Sequence, residues 1–514
     1  MAFPTLVHDI DLSFVGGIAG AAAALYWGIW IVYARYFHPL SKFPGPFSAS
    51  VSRLWIVLHV LPGDAEKRQR KLHAKYGPVV RIAPNELITS DPAAMKALYG
   101  VQSRTTKTDF YLAFRPPWAR FPDHFSSEGG KQHADRRRIV NNVYTMTSIL
   151  QSEQYVHNCI DVWMAKLGEI ADVKGSFDMW LWTRMYAYDV IGEMYFSKMF
   201  GFLEAGGDHL GYIEAVDDLI PVQFIAANMP TYLRGLFMLT GIMLPKVRGA
   251  LKAMDRLSET SNKMLKGRLA ALQNPDAKPQ RADILGKLLD ISHNDGKRLD
   301  FELDDIKMEA FVGLFAGSET TALTLTGILY NVFRTPRVYN KLQSEIDSAF
   351  ASAQLNSPDV TYNEASKLPY LTACIKEGIR VHPITGASFP RHAPAAGCQL
   401  GGSYIPGGTR IGVNPGVIHF DKSVFGDDAD VFRPERWIEG DANNMDKYIM
   451  QFGMGNRTCL GKNIAMCEIY KAIPQLLKSF LFELDSNEEM QTTSYWLHKP
   501  IALDVKVWRR QTTI

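Results

Sequence analysis

From about Phe301 to Arg334 the sequence holds one uninterrupted helical pattern, and between Met308 and Leu329 that pattern carries only two charges, Glu309 and Glu319. A helix apolar on every side must be surrounded. It either crosses a membrane or runs through the middle of a large domain. The central Gly317-Ser318-Glu319-Thr320-Thr321 would be costly in lipid, because a carboxylate and three hydroxyls need partners there. The segment therefore reads as a buried core helix, with Asp304 and Asp305 near its positive end and Pro336 just beyond its last turn.

A second uncharged stretch, Leu12 to Ala34, lies between Asp11 and Arg35. As a helix its 23 residues extend about 35 Å, enough to cross a hydrocarbon core of about 30 Å. Acidic residues precede it and Arg35 and Lys42 follow, the reverse of a cleaved signal peptide. The positive-inside bias then predicts a single-pass signal anchor over 12–34, with residues 1–11 as a short lumenal amino terminus and the main body in the cytosol. Pro39, Pro44 and Pro46 make 35–46 a basic, semi-rigid hinge.

Lys plus Arg number 56 against 53 Asp plus Glu in 514 residues, too even a balance for a general nucleic-acid footprint. Five cysteines, odd in number and without a C-x-x-C pair, argue against a disulfide framework or a cysteine zinc finger. Strand patterns are short and local: Val79 to Ile82 and Glu86 to Thr89, Ser403 to Ile405 and Thr409 to Val413, and the alternation Ile501, Leu503, Val505, Val507. Asn274 to Gln280 reads as a surface loop between helices. The expected fold class is mainly α with small peripheral β-sheets around a long central helix.

Near the carboxy terminus comes Phe452-Gly453-Met454-Gly455-Asn456-Arg457-Thr458-Cys459-Leu460-Gly461, followed by a helical run from Lys462 to Leu477. The glycines let a loop bend sharply and turn N–H groups toward the Cys459 sulfur, at a helix start that favours a thiolate. Gly453 and Gly455 also begin a G-x-G string, but no third glycine or framing strand makes it a dinucleotide loop.

This string resembles the F-x-x-G-x-R-x-C-x-G motif of the cytochrome P450 family, and the resemblance extends in order and spacing over nearly the whole chain. It implies haem b (iron protoporphyrin IX) as cofactor, with Cys459 as the axial thiolate metal ligand. Phe452 would pack beside the ligand loop, Gly455 and Gly461 would shape it, and Arg457 would pair with a haem propionate. An anionic sulfur donates electron density to iron and favours O–O cleavage. Ala316 to Thr321 resembles the family's oxygen-activation motif, which makes Glu319 and Thr320 the catalytic proton-delivery pair and has Gly317 let the helix open locally.

Glu377-Gly378-Ile379-Arg380 and the later Phe432-Arg433-Pro434-Glu435-Arg436-Trp437 match the family's E-x-x-R pair and its third arginine. The resemblance makes Glu377, Arg380 and Arg436 a buried structural network behind the ligand loop. His133 and Arg137 share a helix face at i, i+4 and match the propionate pair, although many members carry Trp in place of His133; Arg391 resembles a further propionate contact. Lys131, Arg136, Arg138 and Lys462 suit docking of an acidic redox partner. Within the family, Tyr76 to Leu87 looks like filamentous-fungal members, especially the pisatin-demethylase-like group of secondary metabolism.

The expected activity is therefore a monooxygenase of the endoplasmic reticulum membrane, using O2 and electrons from an NADPH-dependent flavoprotein reductase to oxidise a lipophilic small molecule. A haem-thiolate isomerase or peroxygenase, and a non-enzymatic haem sensor, are the alternatives. The aromatics between Phe110 and Phe125 are candidates for a pocket roof, Thr385, Ala387 and Ser388 for its lining, and Leu219 to Leu244 for a membrane-facing entrance. The sequon Asn456-Arg457-Thr458 lies inside the ligand loop, where a glycan could not be accommodated.

Overall fold

The computed structural model describes residues 12–241, 243–272, 282–356 and 358–511. The expected amino-terminal segment 1–11 and the loop 274–280 lie outside the described residues. The central helix runs Leu303–Arg334 and starts with a reciprocal cap between Glu302 and Asp305. It is buried through most of its length, as a core helix and not a second membrane span. The almost wholly buried helix Met179–Phe196 packs along it. Glycines on the central helix permit that approach: a Cβ on Gly317 would come within 2.7 Å of Ile191 Cδ1. Gly317 therefore has a packing reason to be glycine besides the local opening expected of it.

The E-x-x-R helix, Pro369–Val381, and the helix after the cysteine loop, Lys462–Ser479, pack on the same core. Among the described residues four small sheets lie at the periphery. The largest has the spatial order Val79–Ala83, Glu86–Thr89, Arg410–Gly412, Arg391–His392, Thr106–Lys107, with only the Glu86–Thr89 and Arg410–Gly412 pair parallel. Its register sets Lys107 directly opposite Arg391. The alternation expected from Ile501 becomes strand only at Asp504–Arg509, because the Leu503 carbonyl accepts the Met179 N–H at 2.8 Å instead.

At the amino end an exposed apolar helix, Leu12–Val32, continues into a π-helical turn, Tyr33–Phe37. Its length and composition suit a membrane anchor. The hinge is docked on the domain: Leu40 and Phe43 are buried, Trp30 Nε1 donates to the Val51 carbonyl at 2.8 Å, and the buried Arg81 donates to the Ala34 carbonyl at 2.8 Å. Most of Tyr212–Asn228 is internal, while the following helix Thr231–Gly241 exposes Tyr232, Leu236 and Leu239.

Candidate active site

The cysteine loop is held by its own backbone. Cys459 donates its N–H to the Phe452 carbonyl at 2.7 Å. Gly455 takes φ +57°, and a Cβ there would sit 2.3 Å from the Tyr99 carbonyl oxygen, so only glycine fits. Cys459 is exposed to the cavity, and its enclosure among protein groups pushes the thiol up, opposed by hydrogen bonds from the Gly461 and Lys462 N–H groups and by the Arg137 and Lys462 cations. No disulfide forms among the described residues, and of the cysteines Cys459 lines the cavity beneath the central helix.

Ala316, Gly317, Thr320 and Thr321 line the same cavity. The Thr320 hydroxyl donates to the Ala316 carbonyl at 2.8 Å, the back-bond of a hydroxyl in a helix. Glu319 does not line the cavity. It is fully buried behind the helix, 2.7 Å from Arg184 Nη2 and 2.9 Å from Lys499 Nζ. Arg184 and Lys499 both also pair with Asp217 at 2.8 Å, and these three residues line a cleft between the helices and the carboxy-terminal hairpin.

One end of the cavity is strongly cationic. Lys107, Arg137, Arg391 and Arg457 all line it. Arg457 donates to the Ser127, Glu128 and Gly129 carbonyls at 2.8–3.3 Å, and burial followed by the neighbouring arginines lowers it to about 10. Lys107 donates to the Phe125 carbonyl at 2.6 Å, and burial with three nearby arginines drives it far below the usual lysine range. Arg137 donates to the Thr458 carbonyl at 2.6 Å. His133 and Gly455 line the pocket adjoining this end. Burial and the Arg457 cation hold His133 neutral, at about 2, and its buried Nε2 has no hydrogen-bond partner among the described residues.

Behind the loop, Glu377 is fully buried and receives Arg380 Nη2 at 2.8 Å, Arg436 Nε at 2.9 Å, the Arg433 N–H at 2.9 Å and Trp437 Nε1 at 2.8 Å. The two guanidiniums reach on to the His419, Ala429, Asp428 and Val431 carbonyls. The structure thus joins the three residues expected to form a network.

Of the roof candidates, Tyr111, Phe114 and Phe125 line the cavity, Phe110 lines a small neighbouring one, and Trp118 and Phe121 pack elsewhere, Phe121 beneath Arg136. Thr385 lines the cavity, whereas Ala387 and Ser388 face the neighbouring one. Arg136 is paired to Asp305 at 2.6 Å and so is not a free docking charge; Lys131, Arg138 and Lys462 are exposed. Sequence reasoning missed Lys107, Trp496, Arg184, Lys499 and His419. Nothing local distinguishes them, since each reaches the site through a remote loop, strand or helix.

The fold and this site together define a haem-thiolate enzyme class. The chain matches the family model for cytochrome P450 over residues 44–505. It is 40% identical over 493 residues to the cytochrome P450 monooxygenase gsfF of Penicillium aethiopicum, covering 95% of this chain and 97% of that one. It is 33% identical over 497 residues to the cytochrome P450 monooxygenase cicH of Emericella nidulans (95% and 98%). It is 31% identical over 480 residues to pisatin demethylase of Fusarium vanettenii (92% and 89%). The chain belongs to the cytochrome P450 family and is a cytochrome P450 monooxygenase.

The family implies a haem-thiolate cofactor, a reductase and a small-molecule substrate. The residues present fit the haem. Like charges directly opposite on a sheet repel, so the Lys107 and Arg391 pair calls for an anion between them. The unpartnered His133 Nε2 offers a further donor to carboxylates, and the same cavity supplies the thiol.

Proposed function

We propose that this chain is a membrane-anchored monooxygenase of fungal secondary metabolism that oxidises a lipophilic small molecule at a haem b ligated by Cys459. The observation that carries this reading is one cavity lined together by Cys459, Thr320 and four basic side chains, Lys107, Arg137, Arg391 and Arg457. When bound, the haem supplies O2 activation and the oxidation itself.

The chain's own residues hold, orient and protonate. Arg137, Arg391, Arg457 and Lys107, with the neutral His133, hold the two propionates. N–H groups of Gly461 and Lys462 restrain the Cys459 sulfur. Glu377, Arg380 and Arg436 keep the loop's approach fixed. Thr320 Oγ1 can turn from the Ala316 carbonyl to a partner in the cavity, and Glu319 holds a carboxylate one residue away. The Arg184, Lys499 and Asp217 cleft gives that carboxylate a polar connection toward solvent. Residues 12–34 form the anchor, 35–46 the hinge and 47–514 one catalytic domain on the cytosolic side of the endoplasmic reticulum. Electrons come from an NADPH-dependent flavoprotein reductase, for which exposed Lys131, Arg138 and Lys462 offer a basic approach.

The test is the Soret band of the reduced carbon monoxide complex of the full chain. A strong red shift that Cys459→Ala abolishes is the expected result. A haem-loaded, folded protein without that band would remove the thiolate assignment.

A further inference from the structure

Two turns before the oxygen-activation motif, the other charge between Met308 and Leu329, Glu309, also lines the cavity. Its Oε1 lies 3.0 Å from His124 Nε2, and its Oε2 accepts the Tyr144 hydroxyl at 3.1 Å. Tyr144 in turn accepts the Tyr195 hydroxyl at 3.1 Å. All four side chains line the cavity. The group takes no part in the Glu319 ion pairs or in the E-x-x-R network. A carboxylate is also the wrong sign for holding propionates. Among the described residues Glu309 has these two partners, for a group that accepts about four hydrogen bonds, so its carboxylate retains capacity for a donor arriving in the cavity.

The walls around it are aromatic. Phe311 and Phe315, one turn apart on the same helix, lie with centroids 6.0 Å apart and planes 9° apart. From the turn of the carboxy-terminal hairpin, whose strands are Thr492–Ser494 and His498–Pro500, Trp496 packs at 5.9 Å on Phe114 and 5.8 Å on Phe125. Trp496 adopts φ +102°, a costly backbone state for a bulky residue that the surrounding fold maintains. All five rings line the cavity.

We propose that Glu309 is the polar anchor of the substrate pocket, accepting a hydrogen bond from the hydroxyl of a flat ring compound whose apolar body lies against Phe315 and Trp496. His124 and Tyr144 are positioning residues that fix the carboxylate. A hydroxyl suits the site better than an ammonium group, because a neutral donor enters this aromatic cavity without the cost of stripping water from a charge. The inference rests on the monooxygenase reading and specifies the substrate class of that same site.

The test uses the full-length, haem-loaded chain in detergent and equilibrium dialysis of three matched probes: 4-phenylphenol, 4-methoxybiphenyl and 4-phenylbenzylamine. The phenol is expected to bind about tenfold or more tightly than its ether, the discrimination of one hydrogen bond to a charged acceptor. Glu309→Leu should bring the ratio near one by weakening the phenol alone, and Glu309→Gln, isosteric and still an acceptor, should retain part of it. Equal binding of phenol and ether by the unaltered enzyme, tightest binding of the amine, or a preference that survives Glu309→Leu would each overturn the proposal. Dialysis does not depend on the carbon monoxide band, so loss of the haem-thiolate reading and loss of the anchor are separate results.

Discussion

His419 accepts the backbone N–H of Met450 on its Nε2 at 2.8 Å, while its Nδ1 faces the carbonyl oxygen of Arg380 at 3.1 Å. One neutral imidazole, donating from Nδ1 and accepting at Nε2, thereby ties the E-x-x-R helix to the chain just before the cysteine loop. The link is intact only while the ring is uncharged, since a protonated ring cannot accept from Met450.

That requirement sets an acid dependence. Burial lowers His419 and His382 to about 3 and His498 to about 4, against about 6.5 in an unfolded chain. Between those values the unfolded chain binds more protons, so stability falls as pH drops through about 6.5 toward about 4 and is independent of these groups above about 7. Thermal midpoints measured from about pH 8 to pH 5 should be level at first and then decline; His419→Gln should weaken the decline and lower haem content at neutral pH.

Arg380→Ala leaves Glu377 buried with one of its two guanidinium partners gone. The cost is about 3–5 kcal/mol. The variant should be recovered mostly without haem, as read from the haem-to-protein ratio, and Arg380→Lys should rescue it only in part because an ammonium cannot reproduce the two-pronged contact with Glu377.

Glu319→Gln keeps the shape of the side chain and removes its proton-carrying capacity. Turnover should fall about 100-fold, with more of the consumed NADPH appearing as hydrogen peroxide, while dialysis constants for bound probes stay unchanged. Unchanged turnover would mean that the Arg184 and Lys499 pairing of Glu319 is structural only.

Lys107→Ala removes one of the two like charges that face each other across the sheet. Haem should transfer to a scavenging protein about tenfold faster, the loss of one charge-assisted hydrogen bond. The haem-free variant should melt no lower than the haem-free parent, because removing an amine that is buried among three arginines offsets the lost contacts. A lower haem-free midpoint with unchanged haem transfer would assign Lys107 to the fold and not to the propionates.

Deleting residues 1–34 should leave a protein that still sediments with phospholipid vesicles. Leu54, Leu58, Tyr232 and Leu239 remain exposed on the domain, enough apolar surface for interfacial binding. Replacing Leu58 and Leu239 with Ser in the truncated chain should release it to the supernatant.

The central helix, the anchor and the cysteine loop were legible because each is local. Burial of Leu303–Arg334 follows from its composition, and the loop from glycines at fixed offsets around Cys459. Glu377, Arg380 and Arg436 could be joined only through the family pattern, since 59 residues separate Glu377 from Arg436. Glu319 shows the limit of such reading. Its motif was recognisable, yet its direction was not, because that depends on Arg184 from one helix and Lys499 from the last hairpin.

The sequence by itself determined which segments are apolar throughout, which cysteine sits in a thiolate-favouring loop and, through that loop's resemblance to the cytochrome P450 motif, the haem-thiolate class. These are properties of short-range pattern. Only the tertiary structure decided what surrounds the chemistry: Lys107 opposite Arg391 by strand register, His419 bridging Arg380 and Met450, and Glu309 lining an aromatic cavity beside His124. Charge pairing and burial depend on distance in space. A linear pattern leaves that distance open until the sheets and helices close around the site.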